Sequence, residues 1–180
     1  MKDILVWDTE TTGLLMHPSV ELHKQPKIIE FGAARLSCKD GSLLGTTSIM
    51  INPSVPLEAI IVKITGITDD QLVGAKTFAE ALPEIRAVFA QCQLMFAHNI
   101  PFDRGMLANE LKRVNVTDFP WPEKALCTVG LFKEVWGRNP KMTELYEHVM
   151  GKPLAQTHRA LDDVMALVEI VQKEELWRLA

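Results

Sequence analysis

Four carboxylates and one histidine in this sequence have the side-chain types needed to bind metal ions and move a proton. Asp8 and Glu10 are close together near the start, Asp103 lies mid-chain, and His158 precedes Asp163 by five positions. Carboxylate oxygens are preferred ligands of Mg²⁺ and Mn²⁺. An imidazole can accept a proton near neutral pH. Together these residues predict a two-metal site suited to phosphodiester chemistry.

Asp8 and Glu10 stand at the end of an apolar segment over residues 4–8 that predicts a first strand. Because side chains alternate along a strand, both carboxylates project from one face and Thr9 points away. Two carboxylates this close repel each other unless a cation lies between them. Solvated acids at an exposed strand end would give the same pattern, so the pair alone leaves both interpretations open.

Asp103 is the third residue of a predicted helix over residues 101–114, where an acid could simply complement the positive end of the helix. At helical spacing, however, it aligns with Met106, Leu107 and Leu111, on the face that should turn inward. A carboxylate on a buried face needs a cation or a cage of hydrogen bonds. We therefore favour a metal role.

Asp163 shows the same conflict on the last predicted helix, and its neighbour Asp162 is an internal control. Asp162 aligns with Glu169 and Lys173, a polar row that should face solvent. Asp163 instead shares its face with apolar positions, namely Ala160, Ala166, Leu167 and Ile170. Helical periodicity thus predicts Asp163 as the ligand and Asp162 as a surface residue.

His158 precedes this helix, and five residues is not a same-face spacing relative to Asp163. A flexible segment would let its imidazole approach the site from above. The other four histidines are interpreted as ordinary surface or core residues: His17, His23, His98 and His148.

The order of predicted elements indicates a mixed α/β sheet flanked by helices. A hairpin is expected where Asp40 and Gly41 join two apolar segments. The predicted strands span 4–8, 28–38, 43–51 and 94–97, and the predicted helices span 57–63, 69–73, 78–92, 101–114, 126–135, 142–150 and 160–179.

Composition predicts one globular domain over residues 1–180, with 47% hydrophobic and 23% charged residues. No segment approaches the roughly 20 apolar residues of a membrane span or resembles a signal peptide, so we expect a cytoplasmic protein with no membrane partner.

The three cysteines show no pairing pattern and should be reduced thiols. A net charge of −4 argues against binding nucleic acid through a bulk positive field, but not against a nuclease that holds cations.

Four segments resemble, in order, the motifs of the DEDDh 3′–5′ exonucleases, in particular the epsilon proofreading subunits of bacterial DNA polymerase III and their stand-alone relatives. The resemblance runs from Ile4 to about Val171 and implies a ribonuclease H-like fold, with a mixed five-stranded sheet whose second strand is antiparallel to its neighbours. The segments are DTETTGL over 8–14, ITGIT over 64–68, AHNIPFD over 97–103 and HRALDD over 158–163.

Carried over position by position, the resemblance implies that Asp8, Glu10, Asp103 and Asp163 hold two Mg²⁺ or Mn²⁺ ions and that His158 is the general base. The ions would lie roughly 3.5–4 Å apart around the scissile phosphate. Periodicity also singles out Asp103 and Asp163, and strand alternation is compatible with the roles of Asp8 and Glu10.

The resemblance also implies contacts with the terminal nucleotide, from Thr11, Thr12, Gly13 and Leu14, with Leu14 wedged against the base, and from Phe102 with Asn99 beside it. A tight turn, a core aromatic and a helix cap are the alternative roles, and capping is favoured for Asn99. Many proofreading relatives have histidine at Thr65, so a phosphate or sugar contact is expected to be missing or replaced there.

The leading hypothesis is a 3′–5′ exonuclease that takes a single-stranded or frayed 3′ end, DNA rather than RNA, and releases 5′-mononucleotides. The alternative is the same chemistry on RNA or short oligonucleotides. A catalytically silent binding module is disfavoured because all five catalytic positions are intact. Epsilon-type subunits usually continue into a polymerase-binding tail, whereas this sequence ends at Ala180, so we expect a free-standing enzyme.

Overall fold

A five-stranded mixed sheet forms the centre of the computed structural model, which describes residues 2–180. Its strands are β1 (Asp3–Thr11), β2 (Ile28–Leu36), β3 (Leu43–Met50), β4 (Cys92–Ala97) and β5 (Lys124–Cys127), in the spatial order β3-β2-β1-β4-β5. β2 is antiparallel to both β1 and β3, while β4 is parallel to β1 and to β5. The predicted sheet, with its antiparallel second strand, is confirmed.

Helices cover both faces of this sheet. They are α1 (Ala59–Thr65), α2 (Asp69–Leu72), α3 (Phe78–Ala90), α4 (Ile100–Arg113), α5 (Thr128–Trp136), α6 (Met142–Met150) and α7 (Ala160–Lys173), with short 3₁₀ helices at Leu22–Lys24 and Leu176–Leu179. Among the described residues no helix is long and apolar enough to cross a lipid bilayer.

Alternation along β1 divides the apolar core into two layers. Leu5 and Trp7 pack with residues of α3 and α4 on one side of the sheet. Ile4 and Val6 pack with residues of α6 and α7 on the other. By the same alternation Asp8 and Glu10 continue the face towards α7, and Thr9 continues the face towards α4.

Several predicted boundaries are shifted by a few residues, and two of these errors have a clear physical cause. Residues 124–127 form an edge strand that pairs with β4, although the helix was predicted to begin at 126. A short apolar segment does not distinguish strand from helix by itself, and here pairing with Leu94 to Ala97 decides. The last helix ends at Lys173 rather than near 179, because Glu175 adopts a left-handed conformation with φ of 50° before the final 3₁₀ turn.

Candidate active site

The predicted catalytic side chains converge at the carboxyl end of β1. Because β4 is parallel to β1, the helix that follows it starts at the same end of the sheet and brings Asp103 to β1. α7 packs across the face that carries Asp8 and Glu10, and it brings Asp163 in its first turn. The fold thus joins residues that are up to 155 positions apart in the sequence.

Asp103 is held by a single residue of β1. One oxygen of its buried carboxylate accepts two hydrogen bonds from Thr9, from the backbone N–H at 3.0 Å and from the hydroxyl at 2.8 Å. The pairing of β1 with β4 extends only to Val6, which leaves this N–H free to donate. Thr9 points away from Asp8 and Glu10, as predicted, and this orientation makes its hydroxyl available to Asp103.

Glu10, His158 and Asp163 form the second part of the site, with one potential ligand atom from each lying within 4.8 Å of the others. His158 has a left-handed backbone, with φ of 52°, a conformation uncommon outside glycine. The side-chain amide of Gln156 donates to Asp163 at 3.2 Å. The histidine that spacing alone could not place therefore lies beside two of the predicted ligands.

Burial, together with the charges of neighbouring carboxylates, raises the pKa values of these groups. Burial, followed by the charge of Asp163, raises the pKa of Glu10 to about 8. Burial, followed by the charges of Asp103 and Glu10, raises the pKa of Asp8 well above its usual range. Burial also raises the pKa of Asp103, against the hydrogen bonds from Thr9, and the pKa of Asp163, against the hydrogen bond from Gln156. Each pKa shift reflects how strongly the buried site disfavours the ionised carboxylate.

This donor set fits divalent cations. Four carboxylates face one another with one nearby imidazole, and oxygen donors suit Mg²⁺ or Mn²⁺ better than softer metals. A cation would remove the repulsion that raises the pKa values, because it favours the ionised form of each ligand. The four carboxylates that the sequence predicted as ligands lie together here and are the candidates to hold such a cation.

Asp162 lies outside this cluster, as predicted. Its exposed carboxylate accepts a hydrogen bond from the hydroxyl of Thr157 at 2.6 Å. His98 also has the structural role expected of it, because its ring contacts the hydroxyl of Thr128 at 3.0 Å and the carbonyl of Pro140 at 3.2 Å.

An ion pair between a buried carboxylate and a partly exposed arginine lies beside the site and was missed by sequence reasoning. Glu30, which is 1% exposed, accepts hydrogen bonds from the guanidinium of Arg159 at 2.7 and 3.0 Å and from the backbone N–H of Ala160 at 2.9 Å. It lies opposite Glu10 in the β1–β2 register. A signal was present, since an acid inside the apolar segment around residues 28–36 is the same anomaly that identified Asp163.

A cavity of about 570 Å³ opens next to the carboxylates, a size typical of sites for small molecules. It begins at Thr9 and Glu10 and extends to an apolar rim formed by Leu14, Ile60 and Ile64, which are 82%, 52% and 45% exposed. Six of the seven predicted substrate residues line it: Thr11, Thr12, Gly13, Leu14, Thr65 and Phe102. The two isoleucines were missed, although an exposed apolar pair four residues apart on α1 marks one face of that helix.

Two predicted substrate residues, Thr65 and Asn99, do not present a free polar group to the cavity. The hydroxyl of Thr65 donates to the carbonyl of Ile61 at 2.9 Å and accepts from the N–H of Ile67 at 3.1 Å, so its polar group is already used within the fold. Asn99 is exposed and lies outside the cavity lining. It occupies the N-cap position of α4 in a left-handed conformation, but its side chain makes no capping hydrogen bond, so the favoured capping role is not realised.

The mixed five-stranded sheet carries an acidic cluster at the carboxyl end of its central strand, which is the arrangement expected of the exonucleases that the motifs resemble. A family model described as Exonuclease, of the RNase T type, matches residues 5–171. The chain therefore belongs to this exonuclease family, and the family predicted from the motifs is confirmed.

Similar proteins include DNA polymerase III of the PolC type from Caldanaerobacter subterraneus subsp. tengcongensis, which is 30% identical over 173 residues. The match covers 95% of this chain and 11% of the polymerase, so the chain spans about a tenth of the length of the PolC-type relatives.

Two solved structures share the fold. The nuclease domain of 3′hExo, a DEDDh family member bound to rAMP, has a TM-score of 0.78 at 18% identity and covers 97% of this chain and 92% of its own. Exonuclease X in complex with 5′-overhanging duplex DNA has a TM-score of 0.66 at 23% identity, covering 96% and 93% respectively.

Proposed function

We propose that this chain is a metal-dependent 3′–5′ exonuclease that hydrolyses DNA to 5′-mononucleotides. The observation that carries the proposal is the position of the carboxylate cluster at one end of a cavity with an apolar rim. A phosphodiester at the carboxylates would place the nucleoside on its 3′ side in the cavity. Because all of these groups lie between Asp8 and Asp163, the activity should be present in this chain without a polymerase.

His158 is proposed to accept the proton of the attacking water. Its imidazole lies near Glu10 and Asp163, beside the proposed metal ligands. Two divalent cations held by Asp8, Glu10, Asp103 and Asp163 would supply Lewis-acid stabilisation of the charge that develops on the phosphate and on the departing 3′ oxygen. Thr9 keeps Asp103 in place for that task.

The apolar rim is proposed to hold the terminal base. Leu14, Ile60 and Ile64 offer surfaces against which any base can pack, since every base has an apolar face. Such contacts do not read sequence. The proposed enzyme therefore removes nucleotides one after another regardless of their identity.

RNA is the second candidate substrate, because the nuclease domain of similar fold was determined with rAMP while the other structure holds DNA. Discrimination between the two depends on contacts near the 2′ position of the terminal sugar. The hydroxyl of Thr65, which lines the cavity, is engaged with backbone groups and does not favour a 2′-hydroxyl. We therefore place DNA first.

The test uses the purified chain with 5′-labelled single-stranded DNA, a recessed duplex and RNA of the same sequence. Reactions contain Mg²⁺, Mn²⁺ or a chelator. The expected result is a ladder that shortens from the 3′ end only when metal is present, with His158→Ala slower by roughly 10²–10⁴-fold. Cleavage in chelator, or an unimpaired His158 variant, would overturn the mechanism, and faster loss of RNA would promote the second candidate.

A further inference from the structure

Glu30 connects the central sheet to the segment that carries His158. Its carboxylate is buried on β2 and accepts hydrogen bonds from Nε and a terminal nitrogen of Arg159 and from the backbone N–H of Ala160. Arg159 directly follows His158, and Ala160 is the first residue of α7. One side chain thus fixes both residues that come immediately after the proposed general base.

The other side-chain hydrogen bonds of this segment are local. Gln156 donates to Asp163, and Thr157 donates to Asp162, so both bonds join the segment to the helix that follows it. Arg159 is the residue that reaches the sheet, through Glu30 and through the sulfur of Met50. The position of the His158 backbone relative to β1 therefore depends on the pair formed by Glu30 and Arg159.

The β1–β2 register makes this pair relevant to the chemistry. Glu30 lies opposite Glu10, so the two side chains share the face on which α7 packs. The left-handed conformation of His158 is an uncommon one that the surrounding structure must maintain. The carboxylate of Glu30, bonded to the two residues that follow His158, supplies that constraint without occupying the site itself.

We propose that Glu30 is a positioning residue that holds the His158 imidazole in reach of the reacting water by anchoring Arg159 and the start of α7. The proposal rests on the proposed exonuclease function, since it assigns Glu30 to the same reaction. Glu30 contacts neither the substrate cavity nor the predicted metal ligands through a hydrogen bond. Its charge also acts through space on Asp8, Glu10 and Asp163, and the positioning effect is the part that passes through His158.

The primary variant is Glu30→Gln, which keeps the volume and an acceptor for Ala160 but removes the charge that holds Arg159. Displacement of a catalytic group by about 1 Å can cost on the order of 10²-fold in rate. We expect kcat to fall by about 10- to 100-fold while KM changes by less than about threefold, because the cavity that binds the nucleotide is untouched. Arg159→Gln should reproduce the loss of kcat, and it replaces Glu30→Gln as the test variant if Glu30→Gln does not fold.

Glu110 offers a matched control in the same chain. It is a buried carboxylate that also accepts a backbone N–H, that of Ile28 at 3.0 Å, and pairs with an arginine, Arg113, at 3.0 Å. Glu110→Gln removes an equivalent buried charge, but Glu110 has no hydrogen bond to the segment before α7. Its kcat should stay within about twofold of the wild type, whereas an equal loss in both variants would assign the Glu30 effect to general stability.

A double-mutant cycle separates positioning from a contribution to the fold or to metal binding. If Glu30 acts through His158, then Glu30→Gln should cause no further loss of kcat in a His158→Ala background. If the kcat of the double variant instead falls by the product of the two single losses, the proposal is overturned.

A readout without turnover distinguishes failure of this proposal from failure of the proposed function. In the metal-free protein, the imidazole signal that disappears in His158→Ala should shift in Glu30→Gln and remain in place in Glu110→Gln, as measured by ¹H–¹⁵N spectroscopy. An unmoved His158 signal would refute positioning even in an active enzyme. A wild-type chain that degrades no nucleic acid would refute the proposed function. The imidazole signals would still report whether the pair formed by Glu30 and Arg159 positions His158.

Discussion

Gly32 of β2 and Ala160 at the start of α7 are in backbone contact. A Cβ atom placed on Gly32 would come within 2.5 Å of the carbonyl carbon of Ala160 and 2.7 Å of its oxygen. Gly32 is also the register partner of Asp8 on β1. The absence of a side chain at this point lets α7 approach the strand that carries Asp8, and so brings Asp163 into the site.

Gly32→Ala should therefore destabilise the protein and reduce its activity. The new methyl group meets backbone atoms, which cannot rotate away, so α7 must move, at a typical cost of about 1–3 kcal/mol in the free energy of unfolding. Gly45 on the neighbouring β3 is the matched control, because a Cβ there has no heavy atom within 4 Å. Urea unfolding should show Gly45→Ala close to wild type, and similar losses in both variants would contradict the steric explanation.

Asp163→Asn should lose activity while Asp162→Asn keeps it. The first carboxylate is buried among the proposed ligands, whereas the second is exposed and bonded to Thr157. Loss of a metal ligand removes several kcal/mol of transition-state stabilisation, so we expect a decrease in kcat/KM of roughly 10²-fold or more. Mn²⁺ binding measured by calorimetry should weaken only in Asp163→Asn, and equal affinity in the two variants would exclude Asp163 as a ligand.

The metal-free protein should lose stability as the pH rises. The pKa of Glu10 is raised to about 8, and the pKa values of Asp8, Asp103 and Asp163 are raised as well, so the folded state holds more protons than the unfolded chain above the ordinary carboxylate range. Stability from these groups is complete at acidic pH and is lost as the pH approaches about 8.

Thermal unfolding in chelator, followed from about pH 5 to about pH 8, measures this effect. Mg²⁺ should raise Tm more at the upper end, because the ligands must be ionised to bind it. Glu10→Gln should flatten the pH dependence in chelator. A Tm that rises steadily over this interval in the metal-free wild type would show that the carboxylates are not crowded as described.

Leu14→Ala should weaken substrate binding without affecting the fold. The side chain is 82% exposed at the rim of the cavity, so little packing is lost on truncation, while its burial against the terminal base would be worth about 1.5–3 kcal/mol. We expect KM to rise by about tenfold or more with Tm unchanged. The control is Val73→Ala, because Val73 is 76% exposed and lies outside this cavity, and its KM should not change. An unaltered KM in Leu14→Ala would contradict the proposed base contact.

Periodicity was sufficient for the predictions that concern faces of single elements. Asp103 and Asp163 are buried as expected, since a helix that covers a sheet must turn one row of residues inward, and Asp162 is exposed on the opposite row. Strand alternation likewise placed Asp8 and Glu10 on one face with Thr9 on the other. The motif order then indicated the family and the sheet.

Tertiary structure decided what depends on pairing between distant segments. The sequence by itself determined the acids and the histidine, but not the bond from Thr9 to Asp103, the anchoring of Arg159 by Glu30, the close approach at Gly32 or the edge strand at residues 124–127. Local propensity carries no information on which strand lies opposite another. These features arise only when sheet register and helix packing bring positions about 30 to 130 residues apart into contact.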